Sequence, residues 1–279
     1  FAWAFTTQSL STTFTTVADG FAGRGPLASL ERDFPNRLQQ VLQVEESDLS
    51  DNIHIIHSER LAEGFASSPI LAILQMNEAQ KQYLLQTYSD HVDYLVFGLF
   101  ESPAFLENAD GVFDELLTYE SASLPFMCVV PKASAARGPP FPVVLYAHGT
   151  GSARFELLGY ASSLAKHGLA SCAIEAYGHG LPDNEFIRVA VDATLGPYRL
   201  ERLGQMALLG RSRDLNGDGF KDSGGDFWTF NTFHTRDVVR QSVVDYFQWL
   251  RILKAFGHTD MPVDLNGDGL DELAGDFNG

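Results

Sequence analysis

Four apolar stretches mark where buried strands belong. Val143, Val144, Leu145 and Tyr146 are apolar at every position, as in a strand covered on both faces. The run stops at His148-Gly149-Thr150-Gly151. A helix fits residues 152–167, with Leu157, Ala161 and Leu164 at helical spacing and Gly168 as its stop signal. Residues 170–176 form the next buried run, which Tyr177-Gly178-His179-Gly180 ends. Two buried strands joined by a helix predict a right-handed βαβ unit and a parallel pair. Upstream, residues 92–105 and 124–130 are strand-like and joined locally, so they predict an antiparallel meander feeding the Val143 strand. The fold class that follows is α/β: antiparallel opening strands, then a parallel sheet with flanking helices.

The remaining periodicity is helical. Leu27, Leu30, Phe34, Leu38, Val41 and Leu42 fall near one helical face, with Pro35 placed to kink or split it. Residues 52–57 are a short β-like run, and residues 59–88 read as helix broken near Ser67-Ser68-Pro69. Residues 11–90 thus form a mainly helical N-terminal extension with nothing catalytic in it. His54 and His57 lack the further partners that a zinc site needs. Near the other end, Thr235 is placed to cap a helix running to Lys254. Val239, Val243, Tyr246, Leu250 and Leu253 form its core stripe, and Arg236, Asp237, Arg240, Asp245 and Arg251 its solvated face.

Composition narrows the classes. A chain of 279 residues with 45% hydrophobic and 12% aromatic content can bury a large core. The formal charge of −17 argues against nucleic acid and anionic membranes as partners, and favours divalent cations. No run of 18 apolar residues occurs, so no membrane span is expected. No leader is visible, and Phe1 is not a natural start, so an earlier segment is expected to have been removed. Cys128 and Cys172 each fall inside a buried strand and read as small core residues rather than as a disulfide or a nucleophile.

One word occurs twice. Asp214-Leu-Asn216-Gly-Asp218-Gly219-Phe220-Lys-Asp222 returns 50 residues later as Asp264-Leu-Asn266-Gly-Asp268-Gly269-Leu270-Asp-Glu272, and each is followed by Gly-Asp-Phe. Side chains at positions one, three and five, a backbone carbonyl at seven (Phe220, Leu270) and an acid at nine suit Ca²⁺, which takes six to eight hard oxygens. Asp226 and Asp276 are candidates for additional ligands. Position twelve holds Gly225 or Gly275, not the Glu of an EF-hand, and the words resemble the calcium loops of thrombospondin-type or dockerin-like repeats.

The HGTG turn gives the βαβ unit a chemical reading. Backbone N–H groups in a Gly-bearing turn between a buried strand and a helix can face a crevice and stabilise an oxyanion. With the AIEAYGHG strand and turn behind it, and the helix in residues 234–253, the arrangement resembles the α/β-hydrolase superfamily. The overall resemblance is to secreted bacterial hydrolases of the esterase and lipase kind, including the virulence-factor lipase group. That resemblance implies donors at Thr150 and Gly151, with His148 and Gly149 shaping the turn. It also implies a Ser-His-acid triad, yet no Gly-x-Ser-x-Gly occurs in the chain. Ser152 and Thr259 lack the setting of a nucleophile elbow. The nucleophile, acid and base are therefore expected beyond residue 279, in a C-terminal half that completes residues 91–279. Asp276-Phe-Asn278-Gly279 reads as a third calcium word cut short. Residues 1–10 resemble the closing strand of an immunoglobulin-like module. The alternatives are a calcium-stabilised, non-catalytic binding module and a serine peptidase of the same superfamily.

Overall fold

The computed structural model describes residues 11–37, 53–59, 77–106, 111–114, 116–181, 201–215 and 218–255, with residues 185, 188, 189, 192, 193 and 196. Residues 1–10, most of 38–76 and the second DLNGDG word lie outside them, so the expectations placed there stand as sequence readings. One five-stranded mixed sheet organises the described chain. Its strands are β1 (Ile53–His57), β2 (Val92–Ala104), β3 (Glu120–Pro131), β4 (Val143–Tyr146) and β5 (Ala170–Ile174), in the order β1-β2-β3-β5-β4. All neighbouring pairs are antiparallel except β4 and β5, which are parallel. The protein is thus mixed α/β.

Strand alternation decides the layers. Tyr94, Val96, Leu124, Phe126, Ala170 and Ile174 point to one face, where Trp249, Ile252 and Leu253 of the long helix α6 (Thr232–Ala255) meet them. Leu95, Phe97, Met127, Val129 and Ala173 point to the other. There α3 (Glu78–His91) and α4 (Leu158–Lys166) cover them through Leu84, Tyr88, Leu158 and Ala161. The apolar runs were continuous because helices lie on both sides. The helix α1 (Thr12–Phe21) and the single turn α2 (Leu30–Asp33) pack on the flank of α6, with Phe14 edge-on to Phe247 at 5.9 Å. Asn77 and Gln80 form a reciprocal capping box at the start of α3. A short helix, α5 (Glu201–Leu208), lies between α4 and α6 in the chain.

Several expectations are corrected. The strand beside the meander is β5, not the Val143 strand: Cys128 pairs with Cys172 directly across β3 and β5. The two form a disulfide, where sequence suggested separate core residues. Strand β4 therefore lies at the edge of the described sheet, and its four residues are only half-buried. The expected 152–167 helix begins as a 3₁₀ turn over Arg154–Leu157 and becomes α-helical at Leu158. In the N-terminal extension the Thr-rich stretch is the helix, and α2 stops at Asp33, ahead of Pro35.

The last helix starts three residues before Thr235, where Asn231 Oδ1 accepts from the N–H of Phe233 at 3.1 Å and of His234 at 3.2 Å. Its faces are also redistributed. Val239 is 45% exposed, whereas Asp237 and Asp245 of the supposed solvated face are fully buried. Gln241 explains this: its amide accepts from Phe105 N at 2.8 Å and donates to Pro103 O at 2.8 Å and to Asp245 Oδ1 at 2.9 Å. Asp245 also accepts from Ser102 Oγ at 2.8 Å and pairs with Arg211 at 2.6 Å. A polar stripe of the helix thus satisfies the backbone where β2 leaves the sheet.

Candidate functional site

Because β4 and β5 are parallel, their C-terminal ends open on the same side, where α/β sheets place their crevices. The HGTG turn leaves β4 and the YGHG turn leaves β5. Within the first, Gly149 N donates to Glu156 Oε2 at 3.1 Å and Ser152 N to Gly149 O at 3.1 Å. The N–H groups between them, of Thr150 and Gly151, meet no acceptor among the described residues, and both residues are exposed. Gly151 holds φ +78°, which a residue with Cβ rarely adopts.

The floor of the turn is a buried charge cluster. Glu175, at the end of β5, is wholly buried. Its carboxylate accepts from the Arg154 guanidinium at 2.6 Å, and lies 3.0 Å from His148 Nε2. The buried Arg154 also donates to the carbonyls of Leu209, at 2.8 Å, and Met206. His148 Nδ1 meets Gly149 O at 3.1 Å, while Nε2 also lies 3.1 Å from Ala176 N. Nε2 can accept from Ala176 only when unprotonated and donate to Glu175 only when protonated, so the proton on this ring chooses between the two partners. Burial opposes the charge on His148, but Glu175's hydrogen bond and negative charge outweigh it and raise the pKa. Burial likewise pushes Glu175 up, and His148 and Arg154 bring it below its ordinary value. The side chain of His148 is thus an anchor beneath the turn. The bond from Gly149 N holds Glu156 below the ordinary carboxylate range.

His179 is 2% exposed. Its ring lies 5.1 Å from that of His148 and 5.0 Å from that of Phe227. Burial lowers its pKa, which keeps the ring neutral, with Nδ1–H donating to Tyr177 O at 2.8 Å.

The first DLNGDG word lies next to these turns. Asp214 Oδ2 accepts from Gly219 N at 2.9 Å, Asp218 Oδ1 from Phe220 N at 2.9 Å, and Asp222 Oδ2 from Leu215 N at 3.1 Å. Gly219 holds φ +87°, as the sharp turn requires. Asn216 lies outside the described residues, as do Asp264, Asn266, Asp268, Leu270, Glu272 and Asp276. Among the described residues no three His, Cys, Asp or Glu side chains form a group able to hold a metal ion. Asp226, expected as an additional ligand, is committed elsewhere. It is buried against Arg213 and accepts from His234 Nε2 at 2.7 Å. These partners hold its pKa down against burial.

Sequence reasoning placed the turn but missed Arg154, Glu175 and Ser223. A legible signal existed for Glu175, since an acid inside the apolar AIEAY run must find a buried partner. No protein-family model, curated protein or solved structure matches the chain. Among the described residues no helix is long and apolar enough to cross a membrane.

Proposed function

We propose that this chain is the oxyanion-bearing part of a secreted hydrolase of carboxylic esters, with an α/β-hydrolase architecture. The observation that carries the reading is the pair of adjacent N–H groups at Thr150 and Gly151, exposed and without acceptors among the described residues while the flanking N–H groups are engaged. Such a pair can receive the oxygen of a tetrahedral intermediate as charge develops on it. The reaction is acyl transfer to a serine, followed by water, with a histidine as base and an acid orienting it. Among the described residues none is assigned those three roles. They are assigned to a companion chain or further sequence whose next strand pairs with β4 at the edge of the described sheet. The Cys128–Cys172 bond favours an oxidising, extracellular setting. Both DLNGDG words are assigned to Ca²⁺. In the first, Asp214, Asp218, Asp222 and the Phe220 carbonyl would be ligands, and Asp226 would not.

The test is Thr150→Pro, which deletes one donor. In the protein together with the chain that completes its sheet, hydrolysis of short-chain nitrophenyl esters should fall by about 10²–10³ in turnover. Circular dichroism must show that the variant is folded. Undiminished turnover in a folded variant, or no ester hydrolysis by the completed protein, would overturn the reading.

A further inference from the structure

The segment that leaves the first DLNGDG word is locked between the two turns. Ser223 Oγ donates to Ser152 O at 3.1 Å and accepts from Gly180 N at 3.3 Å, so one hydroxyl bridges the HGTG and YGHG sides. Gly224 N donates to Gly178 O at 2.8 Å. Gly224 holds φ +74°, and a Cβ there would lie 2.7 Å from Gly151 N and 3.1 Å from His179 Nε2. Only a glycine fits, and the close approach is to the backbone nitrogen of a proposed donor. At its other end the loop is fastened to the same turn, with Arg211 N donating to His179 O at 2.6 Å. The loop is closed on itself by Asp222 N donating to Arg213 O at 2.8 Å.

A loop tied at both ends to one turn has a limited route to the other, through Ser223 and Gly224. We propose that these two are positioning residues, which pass the order of the 213–222 loop on to the N–H groups of Thr150 and Gly151. The catalytic consequence rests on the reading of that turn as an oxyanion donor; the mechanical coupling does not. A loosened acidic loop would therefore misdirect the donors without unfolding the sheet.

The experiment is amide ¹⁵N relaxation on the intact chain. In the wild type, Thr150 and Gly151 should show order parameters near the rigid value of about 0.85. Ser223→Ala removes both bridging bonds and should bring them below about 0.6, the flexible range, with amides of β3 and β5 unchanged. Ser223→Thr keeps the hydroxyl and should restore them. Asp214→Ala, which frees Gly219 N, should loosen the same two amides in the wild type but add nothing in the Ser223→Ala background. Three results would overturn the proposal: rigid Thr150 and Gly151 in Ser223→Ala, equal loosening of the whole sheet, or a loosened loop in Asp214→Ala with the turn still rigid. Gly224→Ala is a poor probe because it can fail to fold. With the completed protein, Ser223→Ala should lower kcat about 10²-fold with little change in KM. If the relaxation results hold and no variant or wild type hydrolyses esters, the coupling stands and the hydrolase reading falls.

Discussion

At the scale of single residues, the tightest constraint is the charge cluster under the HGTG turn. Glu175 is fully buried and is stabilised as an anion by Arg154 and His148. Removing one member of such a buried pair typically costs about 3–5 kcal/mol, because the other charge is left without compensation. Glu175→Gln should therefore lower the unfolding free energy, read from chemical denaturation, by an amount in that range. The pH signs are opposite for the two titrating members. Glu175 has a lowered pKa, so its contribution is present above its ordinary value of 4.5 and is lost as pH falls through the lowered one. His148 has a raised pKa, so its contribution is full below its ordinary value of 6.5 and is lost as pH rises through the raised one. Melting curves across pH should show the cluster most stabilising between those limits. His148→Gln should flatten the alkaline limb and shrink the acid limb, since Arg154 alone then holds Glu175 down, while Glu175→Gln flattens both. An acid limb unchanged in Glu175→Gln would show that the carboxylate carries no such load. The HGTG turn was legible because glycines and a preceding apolar run are local signals. Its floor was not, since Arg154 meets Glu175 across 21 residues of sequence.

At the scale of elements, β4 and the long helix show what local pattern can and cannot say. The four apolar residues of β4 were read with their correct ends, because periodicity and breakers are local. Its parallel pairing with β5 is legible too, but that β5 rather than β4 lies beside β3 is not, because sheet order is set by the crossover. That one fact also hid the disulfide: cysteines 44 residues apart become partners only when β5 slots in beside β3. On α6, polarity alone places Asp237 and Asp245 on the solvated face, and Gln241 lies between them, yet all three are buried. They face inward because the exit of β2 offers backbone groups that need partners. The bond across β3 and β5 carries its own prediction. Closing a loop of this length restricts the unfolded chain by about 4 kcal/mol in the chain-entropy model. The double variant Cys128→Ala, Cys172→Ala should lose stability of that order in chemical denaturation, with the native sheet retained by circular dichroism. Both sulfurs are inaccessible in the fold, so mild reductant should leave the native protein oxidised. Two titratable thiols in the unfolded, unreduced protein would show that the bond does not form.

For the molecule as a whole, charge is the dominant fact. With 36 acidic and 19 basic residues, the folded chain concentrates negative charge that extended conformations would spread out. A divalent cation held by the DLNGDG words would act on stability twice, by site binding and by reducing this repulsion. The two effects separate experimentally. Site binding at a hundredfold excess over Kd stabilises by about 2.7 kcal/mol for one site. In a chain of this size that corresponds to a rise in Tm of about 5 °C. Sodium chloride at matched ionic strength reproduces only the screening part. Chelation should therefore lower Tm beyond what salt restores, and calcium should recover it. Asp218→Ala should abolish part of the calcium response while leaving the salt response intact, since Asp218 is an exposed loop residue remote from the sheet core. An unchanged melting curve in excess chelator, together with no bound metal by elemental analysis, would remove calcium from the account. The repeat of the aspartate word on either side of α6 in the sequence would then have no metal to account for it.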